Sequence, residues 1–156
     1  MLLPMPLADR GGEPHEHSLI HNLGYAGLIP LVGLASLLWL VAPGLQPWVA
    51  LALASYAALI TSFLGGIHWG IGWSQLARSP EVKVHFLWGV VPSLLAWPGL
   101  VMPPYAGLAW LGMVLIACYL VDRKLYARAG LGVWLKLRFR LSAVAALSCF
   151  IGAGAL

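Results

Sequence analysis

The chain encodes an all-α fold, an integral membrane bundle of five transmembrane helices, and three observations lead there. Of its 156 residues, 61% are hydrophobic and only 9% are charged. A soluble domain carries about 25% charged residues, and so few charges could not cover a water-soluble fold of this length. Apolar runs recur at about 23–42, 48–73, 84–101, 105–121 and 135–156. A helix needs about 20 apolar residues, rising 1.5 Å each, to cross about 30 Å of hydrocarbon. Finally, five spans put the N-terminus, the 74–83 loop and the 122–140 segment on one side. All nine Lys and Arg (Arg10, Arg78, Lys83, Arg123, Lys124, Arg128, Lys136, Arg138 and Arg140) then share that side. Merging the third and fourth spans would divide the nine between the two sides. By the positive-inside rule the N-terminus is cytoplasmic and the C-terminus outside.

In chain order, residues 1–21 read as a polar cytoplasmic tail ahead of a single transmembrane domain, 22–156. Met1–Arg10 lacks the basic-then-apolar pattern of a signal peptide, so the first span is expected to direct its own insertion. His15, Glu16, His17 and His21 lie in the tail. His17 and His21 are spaced i, i+4, but zinc needs further ligands and none is firm. Within the first span Pro30 removes an amide donor and frees the Ala26 carbonyl. Pro43-Gly44-Leu45-Gln46-Pro47 is a turn, with Pro47 placed to open the second helix.

The second span is long enough to tilt. At about 100° per residue, Ala50, Ala54, Ala58, Ser62, Gly66 and Gly70 form a winding stripe of small side chains, suited to close helix packing. Leu53, Ile60, Leu64, Ile67 and Ile71 fall roughly opposite and read as a lipid-facing or loosely packed side. His68 stands on a shoulder with Ala57, Thr61 and Gly65.

His85 opens the third span, and Pro92 within it frees the Trp88 carbonyl. Met102-Pro103-Pro104 separates the third span from the fourth. Asp122 closes the fourth, followed by Arg123 and Lys124. The 122–140 segment alternates basic and apolar residues and reads as interfacial, a short surface helix broken near Gly130 and Gly132. Leu141–Leu156 crosses only if Lys136, Arg138 and Arg140 snorkel from its first turn. Trp73, Trp88 and Trp134 fall near one interface and Trp48 and Trp97 near the other, as an aromatic belt would.

An ionisable side chain inside a membrane helix is costly unless something holds it, which makes His68 the leading functional candidate. With Thr61, Gly65 and Asp122 it forms a candidate ligand-binding or polar site. The competing reading is a buried histidine hydrogen-bonded to a neighbouring helix. No cofactor is expected and no metal site is assigned, since His68 and His85 supply only two ligands. Cys118 and Cys149 lie in apolar spans and read as packing residues. No catalytic residues are assigned: there is no nucleophile–base pair, no HExxH and no carboxylate pair.

Four stretches carry a resemblance: Gly27–Ala35, Ser62–Gly70, Val90–Trp97 and Leu137–Ser142. Together they resemble a family of small bacterial and mitochondrial inner-membrane proteins classed as a domain of unknown function. The Gly-Gly-Ile-His-Trp-Gly element at 65–70 is the most specific part. The resemblance covers roughly 24–150 and implies a multi-span inner-membrane protein, and it carries over no catalytic residue.

The expectation is a multi-pass protein of the bacterial inner membrane, acting as a structural, interaction or assembly component of a membrane complex. The alternative is a small binding or transport protein for a hydrophobic or protonatable ligand (a quinone, lipid or haem) at His68. The expected partners are the lipid bilayer and a membrane-protein partner or second copy of the chain. Nucleic acid is not expected, because the +4 charge is accounted for by topology.

Overall fold

Prolines and glycines set most of the helix boundaries in the computed structural model, which describes residues 14–77, 80 and 82–156. Among these residues the chain is helical throughout, and five helical stretches are long and apolar enough to span a membrane. The first is made of two pieces, α1 (Pro14–Ala26) and α2 (Ile29–Leu38). The break falls at Gly27 and Leu28, since Pro30 has no N–H to bond the Ala26 carbonyl. Leu28 N instead bonds Tyr25 O at 3.0 Å, and Tyr56 Oη donates to the Gly27 carbonyl at 3.1 Å. The Gly27 carbonyl at the break is satisfied in this way, as a backbone group in a membrane must be.

Helix α3 (Gln46–Gln75) begins with Pro47 in its first turn, where the missing N–H costs nothing. Gln46 Nε2 donates to the carbonyls of Leu38 and Ala155, each at 3.3 Å, and ties two helix ends together. Helix α4 (Val82–Val101) keeps Pro92 and Pro98 inside its length. Helix α5 (Pro104–Arg128) ends at Gly130, whose φ of +78° suits glycine. Leu131 N bonds Tyr126 O at 2.9 Å and Gly130 N bonds Ala127 O at 3.3 Å, which satisfies the last carbonyls of the helix. A single 3-10 turn at Gly132–Trp134 leads into α6 (Leu135–Gly154).

Helix α3 is the central element and packs against α2, α4, α5 and α6. That overturns the lipid-facing assignment of Leu53, Leu64 and Ile71, which are 0%, 9% and 7% exposed. The side of α3 that carries these three is covered by the neighbouring helices.

The packing stripe also ends earlier than expected. Ala50, Ala54 and Ala58 are buried and Ser62 is half-buried, but Gly66 and Gly70 are exposed. A Cβ on either glycine would meet nothing within 4 Å. Residues four apart advance by about 40° around a helix of 3.6 residues per turn, so the stripe has wound about 200° by Gly70. Gly65 makes the close approach instead. A Cβ there would run into the Gly89 carbonyl oxygen of α4, and a Cβ on Gly89 would strike the Trp69 ring.

His15–His21 is helical and continuous with the first apolar stretch. One further boundary differs from the sequence reading. Residues 122–128 continue α5 as regular helix, leaving only 129–134 between spans four and five. The break expected near Gly130 and Gly132 is present, but the residues on either side of it continue α5 and α6 and do not form a separate short helix. Apolar-run counting stopped α5 at its first charge, but that charge is neutralised inside the bundle. Arg10 and Arg78, counted in the charge partition, lie outside the described residues.

Candidate functional site: a buried histidine–aspartate–arginine centre

The glycine contact between α3 and α4 determines what meets beside it. His68 lies three residues after Gly65, and His85 four residues before Gly89. Each is about one turn from the contact, and in antiparallel helices both turns lie at the same level. The two imidazoles stack there with centroids 5.3 Å apart, and their Nδ1 atoms are 3.0 Å apart. His68 is 0% exposed and His85 5%.

The opposite nitrogen of His68, Nε2, lies 2.7 Å from Asp122 Oδ1 on α5. Trp88 Nε1, one turn along α4 from His85, donates to the same oxygen at 2.9 Å. Asp122 Oδ2 accepts from Arg138 on α6, through Nη2 at 2.7 Å and Nε at 3.2 Å. Arg138 Nη1 also donates to Ser142 Oγ, one turn further along α6. The carboxylate therefore receives two hydrogen bonds on each oxygen, which fills its acceptor capacity. Burying an unpaired carboxylate would cost several kcal/mol. Here four donors from three other helices offset that cost.

Tyr126, one turn after Asp122, places its ring 5.4 Å from His68. Its buried hydroxyl faces Arg138 without forming a well-aligned hydrogen bond to any described residue.

The geometry fixes where hydrogens sit. Arg138 is always charged, so the carboxylate in bidentate contact with it is ionised and can only accept. His68 Nε2 must then carry a hydrogen. The two Nδ1 atoms face each other across a single hydrogen bond and share one hydrogen between them. If it rests on His85, His68 is neutral. If it rests on His68, that ring is an imidazolium against Asp122. The pair can thus hold one extra proton, with its positive charge beside the carboxylate.

Among the candidates read from the sequence, the structure brings His68 and Asp122 into direct contact. Thr61 and Gly65 lie on the same helix face but outside the polar network. Thr61 Oγ1 donates to the Ala57 carbonyl at 2.8 Å, and Gly65 serves the α3–α4 contact. Trp88 is half-buried and donates to this centre. His17 stacks on Trp134 with centroids 5.1 Å apart, and His21 lies tilted 6.1 Å from the same ring. Among the described residues no group of three or more His, Cys, Asp or Glu is placed to hold a metal ion.

Arg138 is the residue that sequence reasoning misplaced. It was expected to snorkel toward the headgroups, yet it is 5% exposed. A signal did exist. Arg138, Ser142, Ala145, Cys149 and Gly152 recur at helical spacing, and all are buried. Lys136 and Arg140 point elsewhere and are exposed.

The fold and this centre define the class, a multi-pass membrane protein whose spans are joined through a buried ionised network. Within that class the chain belongs to the family described as Protein of unknown function (DUF3429), which it matches over residues 17–154. It is also 43% identical over 75 residues to Transmembrane protein 69 of Xenopus tropicalis. That stretch is 48% of this chain and 29% of the relative, so less than a third of the relative's length is matched. No solved structure matches the chain.

Proposed function

We propose that the protein binds and releases a proton inside the membrane, as the protonatable centre of a small binding or transport protein. The carrying observation is the 3.0 Å contact between the His68 and His85 Nδ1 atoms, with His68 Nε2 held on Asp122. Packing alone needs no ionisable groups, and apolar residues of similar volume often stabilise as well as a buried ion pair. Ionisable residues within membrane helices typically mark relays and transport paths.

A proton entering at His85 passes inward as the shared hydrogen moves to His68. Asp122 holds the resulting charge, and Arg138 keeps the carboxylate ionised. Among the described residues, the groups facing the pair include Asp122 and Tyr126 from α5, Trp88 from α4 and Arg138 from α6, with the Cys118 thiol one turn from Asp122. We place the protein in the bacterial inner membrane with the N-terminus cytoplasmic, a reading supported by the Lys and Arg distribution.

As the pH is lowered from about 8 to 5, the purified protein should take up a proton that the His68→Gln and His85→Gln variants do not. Nitrogen NMR of labelled histidine would read the same change at the two rings. A pair that keeps one charge state across the range would overturn the proposal.

A second reading, an assembly role beside a partner helix, is supported by one feature. Gly66 and Gly70 leave open space on the outward side of α3, next to exposed Phe63 and Trp73. Replacing both glycines with leucine would break a partner contact there. Co-purification in mild detergent measures it, and unchanged recovery of every associated protein would count against that role.

A further inference from the structure

A cavity of about 120 Å³ lies between the break in the first span and helices α3 and α6. Most of its wall is apolar, including Leu28 and Leu31 from the first span and Leu64 from α3. Leu23 and Phe63 also line it and are 64% and 67% exposed, so it opens toward the lipid-facing surface. Two polar side chains, Arg138 and Ser142, share the wall. Both are at least nine-tenths buried, at 5% and 4% exposure.

Both groups can donate to an occupant. Arg138 has no acceptor atom, and its contacts with Asp122 and Ser142 leave a second hydrogen on each terminal nitrogen. Ser142 Oγ accepts from Arg138, which leaves the hydroxyl hydrogen to donate. The charge of Arg138 is already balanced by Asp122. The wall therefore suits an uncharged acceptor better than an anion.

We propose that this cavity binds the carbonyl end of a neutral amphiphile arriving from the hydrocarbon, its chain along Leu28, Leu31 and Leu64 and its oxygen on Arg138 and Ser142. A membrane offers that chemistry as a quinone ring or as an acyl ester. The site is separate from the histidine pair and meets the proton centre at Arg138 and its hydrogen-bond partner Ser142. It stands whether or not His68 titrates.

The test uses the full chain in lipid nanodiscs with two photoreactive probes, a decyl-chain benzoquinone and a monoacylglycerol. Saturable labelling of 24–31 and 138–145 by either probe, competed by its unlabelled form, supports the site. The probe that labels identifies the source. Ser142→Ala removes one hydrogen bond and should weaken competition by about fivefold, consistent with about 1 kcal/mol. Leu28→Trp fills the cavity and should abolish labelling, with the helical circular dichroism spectrum retained. His68→Gln should leave labelling intact, which separates this site from the proton proposal. Labelling by both probes that does not saturate, or that persists through both Ser142→Ala and Leu28→Trp, overturns it.

Discussion

Asp122 is the residue on which the centre turns, because it is the only acceptor shared by His68, Trp88 and Arg138. Removing one partner of a buried ion pair leaves an uncompensated charge and costs about 3–5 kcal/mol. Asp122→Ala should therefore destabilise the bundle by about that much, read from denaturant unfolding in detergent micelles. Arg138→Met alone should cost a similar amount. The Asp122→Ala, Arg138→Met double variant should cost clearly less than the sum of the two single changes, because neither charge is left unpaired. Strict additivity would show that the pair is not energetically coupled. The sequence showed Asp122 as a charge at a helix end with a basic residue or His68 in possible reach. It gave no basis for choosing Arg138 over Arg123 or Lys124, since that choice depends on how α5 and α6 are set against each other.

Helix α3 shows how adjacent glycines take different roles. Gly65 is in contact with the Gly89 backbone, whereas Gly66 faces open space. Gly65→Ala must push α3 and α4 apart, and overpacking of this kind costs about 1–3 kcal/mol. Gly66→Ala meets no neighbour and should gain about 0.5–1 kcal/mol from reduced backbone freedom. The difference between the two melting temperatures measures the contrast, and equal shifts would rule out close contact at Gly65. His68 and His85 report the same contact, so Gly65→Ala should also disturb their NMR signals while Gly66→Ala should not. The small-residue period of this helix is legible in the sequence. The point at which the stripe leaves the interface is not, because an i+4 stripe drifts around the helix and the neighbour does not follow it.

Over the whole molecule, five spans bring the ends of α3, α5 and the starts of α4 and α6 to one end of the bundle. His17 on Trp134, and Tyr25 accepting from Arg140 at 3.2 Å, show that α1 begins at that same end. Ser74→Cys and Lys136→Cys should then react with a membrane-impermeant thiol reagent from one face. Gly44→Cys and Met102→Cys should react from the other. The native Cys118 and Cys149 are buried and give little background. If the positive-inside reading holds, the first pair is labelled only in inverted vesicles. Labelling of the first pair in intact cells would invert the orientation.

The sequence by itself determined the class of the molecule, the number of its spans and the clustering of its basic residues, because hydrophobic length and charge distribution are local properties of the chain. It also singled out His68, since an ionisable group in an apolar helix is visible without any neighbour. The tertiary structure decided what His68 touches. Helix period sets the direction of a side chain, but the level at which two helices face each other depends on where their backbones come closest. Here that point is Gly65 against Gly89, which brings His68 and His85 together. Asp122 and Arg138 close the network from the α5–α6 pair, turning an arginine expected at the membrane surface into the buried counter-charge of the centre.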